Sequence, residues 1–321
     1  MTTLADLAEL VRAPAALSVP GDVVAGAAAA GALGPRTPAL AGASVLLYWA
    51  GMAANDWADR RLDAVERPER PIPSGRITPT AALGLAAGLT AAGVGLAAVV
   101  GGRRAAALAV PLAASIWGYD LLAKNTAAGP AVMAACRGLD VLLGASDGRL
   151  VRALPSAATV AAHTWTVTAL SRREVSGADA TLPMRTLAGT AMVAASAAVA
   201  VPGARRTADT DIRCAADVGA GPAGADGRAA VGTGRAWSTG MAAALPAVLA
   251  GWYAARYGAA QAQVVRDPSA GKVRAAVGAG ITGLPALQGA LTARGGAGLL
   301  GLAVAAAAPL GRRLARKVSP T

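Results

Sequence analysis

Asn55, Asp56, Asp59 and Asp63 close an apolar stretch and are mixed with, then followed by, five arginines, Arg60, Arg61, Arg67, Arg70 and Arg76. The last three lie in Arg67-Pro68-Glu69-Arg70-Pro71-Ile72-Pro73-Ser74-Gly75-Arg76. If the preceding helix continues through this stretch, Asn55, Asp59 and Asp63 fall at i, i+4 and i+8, within roughly 80° of one another on one face. Such a face collects oxygen ligands. Hard divalent cations such as Mg²⁺ take carboxylate and amide oxygens and share their remaining positions with phosphate, which arginines can neutralise. The spacing therefore points to a Mg²⁺-diphosphate site, with Asp56, about 100° from Asn55, in a supporting place. A solvated loop beyond a membrane helix is the plainer reading of the charges, but it does not account for the periodicity of the acids.

The elements that must hold this face are apolar helices. Hydrophobic residues make up 55% of the chain and its mean hydropathy is +0.47. The apolar residues come in blocks of about twenty, each the length of one bilayer crossing. Spans are expected near 14–34, 38–55, 79–101, 104–121, 127–146, 153–170, 184–202, 237–256, 274–293 and 296–310, so the fold class is an all-α membrane bundle of nine or ten transmembrane helices. The spans follow one another too closely to admit a second folded unit, and residues 1–321 are expected to form one domain. Residues 203–236, rich in Gly, Ala, Asp and Arg, are expected to be a flexible polar loop. Its acids have no regular spacing and suit solvation better than metal binding.

The formal charge of +12 lies between the apolar spans rather than on one soluble face, so nucleic acid is not an expected partner. The charge orients the chain instead. With the N-terminus inside, the inside segments carry the larger share of Lys and Arg, which puts the N-terminus and the acidic loops in the cytoplasm, here expected to be that of a bacterium. The first dozen residues are mixed and acidic and the first apolar span is too long for a signal-peptide core, so that span is expected to be an anchor. With Cys136 in a span and Cys214 in the polar loop, no structural disulfide is expected.

Further charges lie inside the spans. Arg137 and Asp140, three apart, are expected to pair on a helix face turned into the bundle, marking a pocket; a structural interhelix pair is the other reading. Asp22 follows Pro20-Gly21, which either kink the first span toward a cavity or mark the start of its helix. His163 is expected to be a satisfied core histidine.

The string Asn55-Asp56-Trp57-Ala58-Asp59-Arg60-Arg61-Leu62-Asp63 with Arg67-Pro68-Glu69-Arg70-Pro71-Ile72-Pro73-Ser74-Gly75 closely resembles the first aspartate-rich motif of the UbiA superfamily of intramembrane prenyltransferases. The resemblance implies that Asn55, Asp59 and Asp63 hold one Mg²⁺ while Arg67, Arg70 and Arg76 contact the diphosphate. Members carry a second acidic motif after the sixth span. The corresponding stretch here is Ser171-Arg172-Arg173-Glu174-Val175-Ser176-Gly177-Ala178-Asp179, with Glu174 and Asp179 as ligands of a second Mg²⁺ and Arg172 near the diphosphate. It departs from the usual spacing, because residues five apart share a helix face only if Gly177 breaks the helix. Tyr119 and Lys124 resemble the Tyr…Lys element before the fifth span, which implies that Lys124 reaches the diphosphate; alone they would be an interfacial anchor. Gly129 to Gly144 together with Ser171 to Gly177 look like the EboC-like branch.

The expected activity is a Mg²⁺-dependent transfer of a prenyl group from a prenyl diphosphate to an aromatic or other hydrophobic acceptor within the membrane lipid, with Asp59, Asp63 and Glu174 as the catalytic acids and Tyr119, Arg137 and Asp140 in the pocket. The alternative is a noncatalytic protein of the same fold that binds or exports a small hydrophobic metabolite.

Overall fold

The computed structural model describes residues 2–13, 18–179, 181–199 and 228–307, with backbone alone for 228–243. In chain order the helices are α1 (Leu4–Leu10), α2 (Pro20–Ala30), α3 (Thr37–Glu66), α4 (Pro79–Gly118), a π-helical turn (Tyr119–Ala123), α5 (Gly129–Gly144), α6 (Leu150–Ser171), α7 (Thr181–Ala198), α8 (Arg228–Arg266), α9 (Ala270–Arg294) and α10 (Gly298–Ala307). Among the described residues there is no strand.

Two of these helices, α3 and α4 with its π-helical extension, are long and apolar enough to cross a bilayer by length and composition alone. The spans expected at 79–101 and 104–121 are two limbs of α4, separated at Gly102, whose φ of 64° is a left-handed conformation that a side chain would oppose. The span expected at 14–34 shortens to α2, which begins at Pro20, where a ring that fixes φ and lacks an N–H suits the first helical turn. Part of the segment expected to be a polar loop is helical, since residues 228–236 form the first turns of α8; residues 203–227 lie outside the described residues.

Alanine and glycine let the helices approach closely. Where α2 crosses α5, a Cβ on Gly26 would meet the Val141 carbonyl and one on Gly144 would meet the Val23 carbonyl, so each backbone rests on the other. One core cluster joins α3 and α4 through Leu40, Leu47, Leu112 and Ile116. Another gathers Val160, Tyr253, Tyr257, Val277 and Leu287 from α6, α8 and α9. Helix α5 serves both, Leu143 facing the first and Val141 the second. A smaller cluster of Leu10, Ala53, Ile72, Ile77 and Ala86 pins α1 and the loop after α3 over the ends of α3 and α4. That cluster positions the charged loop.

Candidate active site

No proline or glycine occurs from Met52 to Glu66, so α3 runs through the whole acidic stretch and stops at Arg67, which is held in a non-helical conformation ahead of Pro68. The three oxygen-bearing residues do lie on successive turns of one helix, but their partners differ. Asn55 Nδ2 donates to Asp120 Oδ1 at 3.0 Å, and Lys124 Nζ lies 2.6 Å from Asp59 Oδ1. Asp63, at the far edge of the same face, is 2% exposed, with Arg70 at 2.7 Å and Arg67 at 3.7 Å. The spread of about 80° explains the split, because one edge of the face meets the π-helical turn and the other meets the loop after α3.

Asp56 shares Arg70 with Asp63, at 3.4 Å, and also takes Arg12 at 2.6 Å. Arg76 bridges to α1, with Asp6 and Glu9 each at 2.7 Å, and donates to the Glu69 carbonyl. Hydrogen bonds from the Thr3 backbone and hydroxyl, with Arg76 beside it, hold Asp6 down at about 2; the same two carboxylates push Arg76 upward. The arginines expected at a diphosphate are thus paired with carboxylates of their own chain.

The π-helical turn is closed by Lys124 N donating to Tyr119 O at 2.9 Å. Its wider pitch turns Asp120 inward, to 6% exposure, while Lys124 reaches Asp59. Asp120 and Arg12 are the two polar residues that sequence reasoning missed at this end. Asp120 stands beside Tyr119 in the sequence, but α-helical spacing gives no sign that it faces Asn55.

The second acidic stretch is built differently. Helix α6 ends at Ser171, so Glu174 and Asp179 share no helix, and Gly177 turns the chain at φ 78° against Pro268. Asp179 Oδ1 accepts from Leu182 N at 2.8 Å and from Thr181 N and Oγ1 at 3.1 Å, which makes it the cap of α7. The Leu182 backbone and the Thr181 hydroxyl lower its pKa. Arg274 Nη1 donates to the Glu174 carbonyl at 2.8 Å, and burial raises the Glu174 carboxyl while Arg274 opposes the rise. Arg172 donates to the Thr126 carbonyl. Among the described residues, no three His, Cys, Asp or Glu side chains stand close enough together to hold a metal ion.

Two cavities adjoin beneath the first motif. The smaller, about 250 Å³, is lined by Arg12, Asn55, Tyr119, Asp120 and Cys136; the larger, about 330 Å³, by Trp49, Arg137, His163, Val167, Ile281 and Leu284 among others. Tyr48, Met52, Tyr119 and Met133 line both, so they form the boundary between a polar antechamber and an apolar chamber.

The expected Arg137–Asp140 pair is not formed. Arg137 Nε lies 2.8 Å from Asp22 Oδ2 on α2, with its guanidinium over the Tyr48 ring at 5.4 Å, while Asp140 accepts from Ser44 on α3. Crossing partners are nearer than the one three residues along the same helix, because α2 and α3 both pack on α5. Asp22, in the first turn of α2, is fully buried and also accepts from Gln288 Nε2 at 2.7 Å. His163 is a satisfied core residue, its Nδ1 2.8 Å from the Tyr253 hydroxyl.

Compared with known proteins, residues 19–204, more than half of the chain, match the family described as "UbiA prenyltransferase family". The chain belongs to that family. Curated relatives include digeranylgeranylglyceryl phosphate synthases of Methanopyrus kandleri, 43% identical over 76 residues (24% of this chain, 28% of the relative), and Natronomonas pharaonis, 34% identical over 146 residues (45% and 53%). The chain thus spans about a quarter to about half of the length of these curated relatives. Two solved structures share the fold. One, described as giving structural and mechanistic insights concerning digeranylgeranylglyceryl phosphate synthase in membranes, aligns with a TM-score of 0.61 at 13% identity, over 90% of this chain and 97% of that one. The other, an apo UbiA homolog from Aeropyrum pernix K1, has a TM-score of 0.54 at 19% identity, over 89% and 96%. The chain is accordingly an integral membrane protein with a UbiA-like fold. The relatives are mostly archaeal, which lends no support to the bacterial membrane expected from the sequence, and their names do not single out the EboC-like branch.

Proposed function

We propose that this chain is a Mg²⁺-dependent intramembrane prenyltransferase, moving a prenyl group from a prenyl diphosphate to a hydrophobic acceptor. The supporting observation is the paired cavity: an allylic diphosphate is polar at one end and apolar over the rest, as is the space beneath the first motif. The diphosphate would sit in the antechamber, near Asn55, Asp59 and Asp120, and the prenyl tail would lie in the chamber past Tyr48 and Met52. The amide oxygen of Asn55 and the carboxylate oxygens of Asp59 and Asp120 are hard donors of the kind Mg²⁺ takes, so the donor set suits the ion once Lys124, now 2.6 Å from Asp59, turns from that carboxylate to the diphosphate. Bound there, Mg²⁺ would polarise the diphosphate and stabilise the leaving group.

The residues of the chain do the rest. Arg12 and Lys124 would balance diphosphate charge, Arg70 and Arg67 hold Asp63 and with it the loop after α3, and the apolar chamber keeps water from the allylic carbon. Arg12 and Lys124, like Arg70, Arg76 and Arg172, could reach a diphosphate only by leaving their present partners. The acceptor class comes from the relatives' name, which points to a glyceryl phosphate already bearing one geranylgeranyl chain, with geranylgeranyl diphosphate as donor. Nine or ten crossings, with both acidic loops in the cytoplasm, complete the proposal. Single cysteines at Ser74 and Ser176, in a background without Cys136 and Cys214, are expected to resist an impermeant thiol reagent in intact cells and to react after lysis; labelling of one alone would separate the loops.

One observation favours the noncatalytic alternative: Asp179 is engaged as a helix cap rather than as a ligand. Purified protein with Mg²⁺, geranylgeranyl diphosphate and geranylgeranylglyceryl phosphate separates the two readings. The enzyme releases pyrophosphate and forms the doubly prenylated lipid; absence of both, with this pair and with other prenyl donors, would leave the alternative.

A further inference from the structure

We infer that Arg172 holds the phosphate of the acceptor, an assignment that rests on the prenyltransferase reading above and names the residue by which that acceptor is chosen. Arg172 caps the end of α6, and Ser171 beside it lines the larger chamber together with Thr168, one turn earlier. The Arg172 guanidinium donates from Nη1 to the Thr126 carbonyl, in the turn between Lys124 and α5. A Cβ on Gly129 would stand 3.5 Å from that nitrogen, so the guanidinium rests beside bare backbone. The charge of Arg172 also acts on the Tyr119 phenol, and Tyr119 lines both cavities. Arg172 is thus held at the charged end of the bundle, beside the boundary where antechamber meets chamber.

Its counterparts in the site are committed to carboxylates. Arg67 and Arg70 are held by Asp63, Arg76 by Asp6 and Glu9, Arg12 by Asp56, and Lys124 by Asp59. In the second segment the Arg173 charge acts on Asp179 and that of Arg274 on Glu174. Arg172 is exposed and has no carboxylate within ion-pair distance among the described residues. The bond to Thr126 occupies one N–H group of a guanidinium that carries five, and a backbone carbonyl leaves its charge unbalanced. Arg172, Arg173 and Arg274 together outnumber Glu174 and Asp179. That excess of positive charge opposes a second metal ion and attracts an anion.

An anion on the free N–H groups of Arg172 leaves the Thr126 carbonyl in place, whereas reaching a diphosphate in the antechamber would break that bond. Donor diphosphate and acceptor phosphate repel each other, and separate cations keep the two apart. The planar guanidinium suits a phosphate, whose oxygens accept two parallel N–H bonds from it. In a glyceryl phosphate that bears one prenyl ether, the remaining hydroxyl is at most two carbons from the carbon carrying the phosphate. A phosphate on Arg172 therefore sets that hydroxyl near Ser171 and Tyr119, where the diphosphate end of the donor meets its prenyl tail. Arg172 takes no part in breaking a bond. It selects a phosphorylated acceptor and orients it.

The test uses the full-length protein with Mg²⁺, geranylgeranyl diphosphate and two acceptors, geranylgeranylglyceryl phosphate and its unphosphorylated counterpart geranylgeranylglycerol. Formation of the doubly prenylated product is the readout. Wild type is expected to favour the phosphorylated acceptor about 30-fold in kcat/KM, the scale of a charge-assisted hydrogen-bonded pair. Arg172→Ala is expected to lose about that factor with the phosphorylated acceptor, through KM, while kcat/KM for geranylgeranylglycerol and KM for the donor stay within about threefold of wild type. Arg172→Lys, which keeps the charge without the planar fork, is expected to fall between the two. An unchanged preference in Arg172→Ala would overturn the assignment, as would an absence of preference in wild type. Equal losses with both acceptors would overturn it as well, marking a structural role at Thr126, and a raised donor KM would return Arg172 to the diphosphate. Wild type that releases no pyrophosphate and forms no product with either acceptor would instead remove the prenyltransferase reading itself.

Discussion

The two acidic segments use similar residues in opposite ways. Asn55, Asp59 and Asp63 ride on a continuous α3, and two of them point at the π-helical turn that bounds a cavity. Glu174 and Asp179 lie in a turn after α6, where one carboxylate caps α7 and the other lies near Arg274. Acids on a helix can only present oxygens sideways, into whatever space adjoins that face, whereas acids in a turn are drawn to nearby backbone N–H groups. The difference teaches that acidic composition identifies a ligand set only together with the element that carries it.

Asp59→Asn is expected to break the comparison most severely. Turnover should fall about 100-fold or more, with the detergent-solubilised protein still folded by size-exclusion chromatography, because the change removes a charge beside the π-helical turn that bounds the cavity rather than a packing group. Asp63→Asn should sharpen the contrast within the first motif. Its carboxylate anchors Arg70 and Arg67, so we expect a loss of stability of about 1–2 kcal/mol, modest because both arginines reach water, with turnover falling in step with misplacement of the loop. Thermal unfolding of this variant beside Asp59→Asn separates the two roles: Asp63→Asn should melt earlier and Asp59→Asn should not.

Smaller effects are expected in the second segment. Glu174→Gln should keep turnover within about threefold of wild type, measured as steady-state pyrophosphate release. Asp179→Ala should lower Tm by about 2–4 °C through loss of the α7 cap, with the Mg²⁺ dependence of turnover unchanged. A shift of the Mg²⁺ requirement in Asp179→Ala would return that residue to the metal site.

How much of this was legible in the sequence depends on the range of the interaction. The apolar blocks give most of the helices, and the periodicity of Asn55, Asp59 and Asp63 gives their shared helix, because both are properties of adjacent turns. The partner of Arg137 was not legible. A spacing of three tests only the same helix, and the carboxylate that answers Arg137 comes from Asp22 on α2, brought close by the contact of Gly26 with α5. Asp120 was hidden for another reason: the π-helical turn shifts the register by one residue, and no propensity scale for α-helix anticipates that shift. The capping role of Asp179 could have been read from its place two residues before Thr181 at a helix start, had the likeness to an acidic motif not suggested a ligand.

The central claim is that the chemistry of leaving-group departure belongs to the first acidic segment and not to the second. Its most direct test is pyrophosphate release from geranylgeranyl diphosphate, titrated with Mg²⁺ for wild type, Asp59→Asn and Glu174→Gln prepared side by side. We expect saturable Mg²⁺-dependent release in wild type and in Glu174→Gln, and release near background in Asp59→Asn at every Mg²⁺ concentration. Glu174→Gln as inactive as Asp59→Asn, or Asp59→Asn releasing pyrophosphate at the wild-type rate, would contradict the account.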